Sequence, residues 1–246
     1  MTYDDDDDDG PRPDAELTEL TKRLDELLVR FNAAKGAGDK ATANSIAAEA
    51  KPLRERYKAR GDELEAARVF ARTCPIQWTL KASDAEIEAR ISDPVLKKFA
   101  AEPDAAERSA LLLGPSKIGK STTAALALRR ALLLPRTGRN LSPKWFYARA
   151  LAQVARQWPL GEGTCPEVNR ASNAGLLIID DLGLERDAAE LVDVVHSRYE
   201  CGLVTWTTSG LSMSELKDRY GEALVRRLIE GREQPGRVVT VFKKAA

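Results

Sequence analysis

Cysteine and histidine are nearly missing from this sequence. Three cysteines (Cys74, Cys165 and Cys201) and one histidine (His196) are spread over 246 residues. No C-x-x-C pair occurs, so a structural zinc site has no ligand set to draw on. An odd, sparse cysteine count cannot build a disulfide framework and fits a reducing compartment. Long apolar runs are lacking too. Nothing approaches the ~20 residues that cross a bilayer, and the N-terminus carries no apolar signal segment. The expectation is therefore a cytoplasmic protein with no membrane partner. Net charge is formally zero, with 38 acidic and 38 basic residues, but six of the acids are Asp4 to Asp9. The rest of the chain sets 32 acids against 38 bases and is mildly basic, which permits a nucleic-acid partner without requiring one.

What is present divides into four stretches. Residues 1–13 form an acidic tail ending in Gly10-Pro11-Arg12-Pro13, whose adjacent aspartates repel one another and predict a solvated, disordered segment. From Asp14, a suitable helix N-cap, Leu17, Leu20, Leu24, Leu27 and Phe31 recur at spacings of three and four and make one apolar seam. Gly36-Ala37-Gly38-Asp39 breaks that helix. A second helix is predicted from about Asp39 to Arg72, with Pro52 expected to kink it. Residues 14–72 thus read as an N-terminal helical hairpin, its two stripes packed on each other, on the main domain, or on a partner protein. Residues 73–108 read as a connector with one short helix at Ser83 to Ile91, and residues 109–246 as the main domain.

In that last stretch five strand candidates alternate with helical segments: Ala110–Leu113, Lys144–Tyr147, Leu176–Ile179, Leu203–Thr207 and Val238–Phe242. Such alternation predicts an α/β fold, a five-stranded parallel sheet with helices on both faces.

Two motifs carry chemistry. Gly114-Pro115-Ser116-Lys117-Ile118-Gly119-Lys120-Ser121-Thr122 contains the full G-x-x-x-x-G-K-[ST] pattern between an apolar strand and a helical segment. Its glycines let successive backbone N–H groups face a phosphate, and the helix beginning near Lys120 adds its positive end. Lys120 is placed to bridge the β- and γ-phosphates, and Ser121 to offer a hydroxyl to Mg²⁺. Sixty residues further, Leu176-Leu177-Ile178-Ile179 predicts a buried strand closed by Asp180-Asp181. Ligands of open α/β sheets collect at such strand ends. Asp180 is the expected Mg²⁺ holder and Asp181 the group that polarises the attacking water.

The chain from about Ser109 to Phe242 resembles the AAA+ ATPases of the DnaC-type helicase loaders and IstB-type transposition helpers. Besides the phosphate loop, the similar pieces are LLIIDDLG (176–183), SRYECGLVTWTTSGLSMSEL (197–216) and YGEALVRRLIEG (220–231). The resemblance implies a Mg²⁺-dependent ATPase that forms a homo-oligomer with nucleotide at the subunit junctions. It implies an arginine finger at Arg227, with Arg226 as the adjacent alternative. The family's fourth strand ends in an asparagine that helps place the attacking water; here Thr207-Thr208-Ser209-Gly210 puts glycine there, leaving Thr208 or Ser209 to offer a shorter hydroxyl. The chain stops soon after Phe242, which implies the loader family's lack of a C-terminal helical lid. A replicative DNA helicase, gripped by the N-terminal hairpin, and single-stranded DNA are the partners the loader reading implies. A transposition helper acting on duplex DNA with a transposase, and a nucleotide-dependent interaction module with little turnover, are the alternatives. For the DNA itself, Arg129-Arg130, Arg136, Arg139, Lys144-Trp145 and Arg149 offer basic groups with interleaved aromatics. Trp145, Phe146 and Tyr147 have an equal claim to strand and core.

Overall fold

The computed structural model describes residues 14–134, 141–159, 161–186, 188–229 and 237–241. The acidic tail, Arg136, Arg139, Gly231 and Phe242 lie outside the described residues. The chain separates into two compact units, Met1–Glu65 and Ala66–Ala246.

In the first unit, helix α1 (Ala15–Gly36) starts where Asp14 accepts the Leu17 amide in its side chain. Helix α2 (Lys40–Thr73) runs unbroken through Pro52 and crosses the boundary between the units. The expected seam is internal to the hairpin: Leu24, Leu27 and Phe31 meet Ile46, Ala50 and Leu53 in one apolar cluster. Ion pairs tie the same two helices, Arg60 to Asp14 at 2.8 Å and Arg56 to Glu16 at 2.7 Å.

The second unit is built on β1 (Ala110–Leu113), β2 (Pro143–Tyr147), β3 (Leu176–Leu182), β4 (Val204–Ser209) and β5 (Arg237–Thr240). All pair in parallel, in the order β2-β3-β4-β1-β5. The near-continuous burial of β1, β3 and β4 is what a sheet covered on both faces requires. Ala110, Leu112, Leu176, Ile178 and Trp206 enter one core, with α6 (Lys120–Leu133). Leu111, Leu113, Leu177 and Ile179 enter the other, with α7 (Ala148–Gln157), α8 (Pro166–Asn173), α9 (Ala189–Glu200), α10 (Met213–Tyr220) and α11 (Glu222–Ile229).

The stretch expected as a connector is part of this unit. It holds α3 (Gln77–Lys81), α4 (Asp84–Ala89), α5 (Pro94–Ala100) and a 3₁₀ turn at Ala105–Glu107. Ile87, Ile91, Leu96, Phe99 and Ala105 lie in the same core cluster as α6. Trp206, wholly buried in β4, donates its indole N–H to the carbonyls of Ala105 and Arg108, and Phe99 meets its ring edge-on at 5.6 Å. The short helix read from sequence is α4, opened by a capping box between Ser83 and Glu86.

Between α9 and the sheet lies a wholly buried guanidinium. Arg198 has no carboxylate near it among the described residues. It donates to Thr205 Oγ1 at 2.9 Å and to the carbonyls of Ala171, Ser172, Ala174 and Val204. Three of those carbonyls close the C-terminal end of α8, which lacks intrahelical donors there. Burial pulls the Arg198 pKa down to about 10, so it remains charged at neutral pH.

Candidate nucleotide site

The phosphate loop leaves the buried end of β1 and turns into α6, and each of its residues has a distinct place. Gly114 is buried, Pro115, Ser116 and Lys117 form an exposed rim, and Ile118, Gly119, Ser121 and Thr122 are half-buried. Gly119 takes φ +97°, and a Cβ there would stand 3.0 Å from the Ile91 backbone. No L side chain is accommodated under that double demand. Lys117 also adopts positive φ, +68°, an uncommon state for a residue with a side chain and one that recurs at ligand clamps. Ser92 fastens the preceding segment to the loop, its amide and hydroxyl both donating to the Ile118 carbonyl at 3.3 and 3.2 Å. Ile91 and Ser92 thus belong to the site. Sequence reading missed them because nothing local marks a residue that packs on a loop nearly thirty positions away.

Lys120 is buried, its ammonium donating to the Gly114 and Pro115 carbonyls at 2.8 Å each. The lysine is therefore folded back onto its own loop. Burial pushes its pKa below the ordinary lysine value, while the charges of Asp181 and Asp180 pull the other way.

The carboxylate pair sits on an irregularity that the apolar run Leu176–Ile179 could not reveal. Strand β3 continues to Leu182, and the register shifts between Ile179, opposite Thr207, and Leu182, opposite Ser209. Asp180 and Asp181 together therefore face one residue, Thr208, as in a β-bulge. Asp181 is left in a left-handed conformation, φ +58°, with its side chain exposed. Asp180 is buried, 1% exposed, on the sheet face that carries α6. One of its oxygens accepts from the hydroxyls of Thr208 at 2.5 Å and Ser121 at 2.8 Å. Burial raises the Asp180 pKa, and those two hydroxyls act against it by stabilising the charged form. The Thr208 hydroxyl also accepts the Asp181 amide at 3.0 Å. Thr208 is thus placed at the site as expected, but as a clasp on both aspartates. Ser209, the other hydroxyl considered, is committed to the Leu182 carbonyl at 2.6 Å, and Gly210 follows the strand.

Ser121 and Asp180 fit a magnesium ion. Both are hard oxygen donors, 2.8 Å apart. Among the described residues no group of three or more His, Cys, Asp or Glu forms a metal cage. Mg²⁺ characteristically takes one or two protein oxygens and completes its shell with phosphate and water.

Arg227 is not at this chain's own phosphate loop. Half-buried on α11, it lies over the Tyr199 ring of α9 at 5.8 Å, while Arg226 is exposed.

Of the basic and aromatic residues expected to meet DNA, Lys144, Tyr147 and Arg149 are exposed, while others are engaged within the fold. Arg129 and Arg130 pair with Asp84, and Arg130 also with Glu88. Trp145 is buried in the core beside Ile178, and Phe146 packs on the opposite core. Arg149 belongs to a different feature, a surface cavity of about 400 Å³ lined by Arg149, Ala152, Gln153, Arg156, Leu184 and Arg186. Its α7 side arises from one helix face, Arg149, Gln153 and Arg156 being four and three residues apart. Among the described residues none of the three arginines has an acidic partner, and no acid lines the cavity.

An all-parallel sheet with a phosphate-loop pattern after β1 and an acid pair at the end of β3 gives this chain the α/β arrangement of a phosphate-loop fold. Several solved structures are similar to part of it. A putative primosome component from Streptococcus pyogenes matches 64% of this chain and 79% of its own, at 20% identity and a TM-score of 0.45. DnaI matches 61% and 79%, at 18% identity and 0.44. The DnaC helicase loader matches 60% and 86%, at 18% identity and 0.46. No protein-family model and no curated protein matches the chain. No helix among the described residues is long and apolar enough to cross a membrane.

Proposed function

We propose that this chain is a Mg²⁺-dependent ATPase that loads a replicative helicase onto single-stranded DNA. The observation that carries the nucleotide half is the Ser121–Asp180–Thr208 cluster beside Lys120. It gathers the metal-facing oxygens, the phosphate-facing ammonium and the Asp181 carboxylate at one end of the sheet. ATP lays its β- and γ-phosphates on the loop amides, and the Lys120 ammonium turns from two carbonyls to the phosphate oxygens. Ser121 and Asp180 would hold Mg²⁺, which would supply neutralising positive charge to the phosphates. Asp181, exposed beside the loop, orients the attacking water and takes its proton.

The DNA half is supported by the arginine cavity. Three guanidinium groups that have no acidic partner among the described residues surround a concave surface, which suits the phosphates of a flexible strand, and with Trp145 buried charge is the main means of recognition. The helicase is assigned to residues 14–72, a helical hairpin with an apolar cluster of its own, which the loader reading gives to partner binding.

A nucleotide switch with slow turnover is the second reading. It is favoured by one observation: both hydroxyls at the end of β4 are engaged, Thr208 by the aspartates and Ser209 by Leu182.

Two measurements test the proposal. Lys120→Ala should abolish nucleotide binding; unchanged binding and turnover would end the ATPase reading. Affinity capture of the full chain from its native source should retain a replicative helicase, whereas a transposase would select the transposition-helper alternative. In parallel, Arg149→Ala and Arg156→Ala should each weaken single-stranded DNA binding and lower its salt slope by about one ion.

A further inference from the structure

Five residues beyond Asp180 the loop buries a second carboxylate that the chemistry above does not use. Glu185 is 2% exposed. Its Oε2 accepts the Gly183 amide at 3.0 Å, and its Oε1 accepts from the Tyr220 hydroxyl and from Arg219 Nε at 3.5 Å. Arg219 also donates through Nη2 to the Glu185 carbonyl. Side chain and backbone of one residue therefore both grip the last two residues of α10. A buried carboxylate is costly unless its lone pairs are met, and here three separate donors meet them. Burial, and then Glu185, raise the Tyr220 pKa, which keeps the phenol a proton donor.

Only Gly221, at φ +81°, separates Tyr220 from α11 and its two arginines. The turn is short and bonded, with the Gly221 amide on the Lys217 carbonyl at 2.8 Å. Arg227, on α11, lies seven residues past Tyr220 and over the Tyr199 ring of α9. It is thus tied to the Glu185 contacts through α11 and Tyr220. Gly183 brings the loop close to the segment leading into α10, since a Cβ there would stand 2.7 Å from Leu211 Cδ1.

We propose that Glu185 is a positioning residue that sets the placement of Arg227, so that the loop behind one subunit's aspartates governs the site of the next subunit. This rests on the reading that Arg227 acts across a subunit junction.

The test separates the two claims. Full chains carrying Arg227→Ala keep an intact phosphate loop, and chains carrying Lys120→Ala keep an intact Arg227. Mixed, they should recover ATP turnover at junctions that combine the two. Adding Glu185→Gln to the Lys120→Ala chain should cut that recovery at least about tenfold, with KM and co-assembly unchanged. The same change on the Arg227→Ala chain should leave recovery near the control, an asymmetry that a merely structural role would not produce. Tyr220→Phe, which removes one donor and keeps the ring, should reproduce the loss in part without lowering Tm. Full recovery with Glu185→Gln on the Lys120→Ala chain would overturn the positioning role while leaving the shared site intact. Absence of recovery even without Glu185→Gln, in chains shown to co-assemble, would overturn the shared site and this inference with it.

Discussion

Thr208 donates its hydroxyl proton to Asp180 across 2.5 Å. The same oxygen accepts the amide of Asp181, so one side chain orients the buried acid and pins the backbone of the exposed one. Thr208→Val keeps the shape and removes both functions. Steady-state turnover should fall about 10- to 100-fold, as for other lost outer-shell contacts, while nucleotide binding by fluorescence titration persists. Thr208→Ser, which restores the hydroxyl, should stay near the parent.

The two aspartates should part company in binding experiments. Asp181→Asn removes the exposed carboxylate and should leave ATP bound and unhydrolysed. Asp180→Asn alters the buried oxygen shared by Ser121 and Thr208, and should raise the Mg²⁺ concentration needed for tight nucleotide binding. Identical losses in the two variants would show that their roles are not separate.

Arg198 supports the fold rather than the chemistry. Arg198→Met would strand the Thr205 hydroxyl and four carbonyls in a dry interior. The expected loss is on the order of 3 kcal/mol or more, read from denaturant unfolding. An unfolding midpoint equal to the parent's would contradict it.

Acid should loosen the start of α1. The Arg60 guanidinium beside Asp14, followed by the Leu17 amide, holds the Asp14 carboxyl below its ordinary value of 3.8. The ionised form is therefore favoured in the folded hairpin. Its stabilising contribution is complete above that value and is lost as pH falls through the lower folded one. Hydrogen exchange at the Leu17 and Thr18 amides should accelerate over that window, and Asp14→Asn should remove the pH dependence.

Local pattern carried much of this molecule into view. The strands, the phosphate loop, Asp180 and α4 are each written in a run of neighbours, where apolar periodicity, capping residues or glycine spacing act over a few positions. What escaped depends on partners far along the chain. Arg129 and Arg130 look like a DNA-facing pair until the fold brings Asp84 and Glu88 against them. Residues 73–108 look like a connector because their short helices have no long stripe of their own, yet Phe99 and Ile91 complete the core around α6. Glu185 and Arg219 carry no motif, and Tyr220 opens YGEALVRRLIEG with nothing in that run to name its partner. Their significance is a meeting between residues more than thirty positions apart.

The bulge at the end of β3 makes this stretch answer to chain length as well as to residue identity. Two residues share one place opposite Thr208, so losing either would let the strand pair one-for-one. Side-chain direction alternates with every residue along a strand, so Leu182 would then stand two places past Ile179 and stay in the core that holds Leu177 and Ile179. The surviving aspartate would still face Thr208, but the Thr208 hydroxyl would have lost the Asp181 amide and the exposed acid would be gone. Keeping both aspartates in a regular, unbulged strand would fail the other way, because Leu182, three places past Ile179, would turn out of that core. The extra residue is thus what lets two acids occupy the place of one without turning the rest of the strand over.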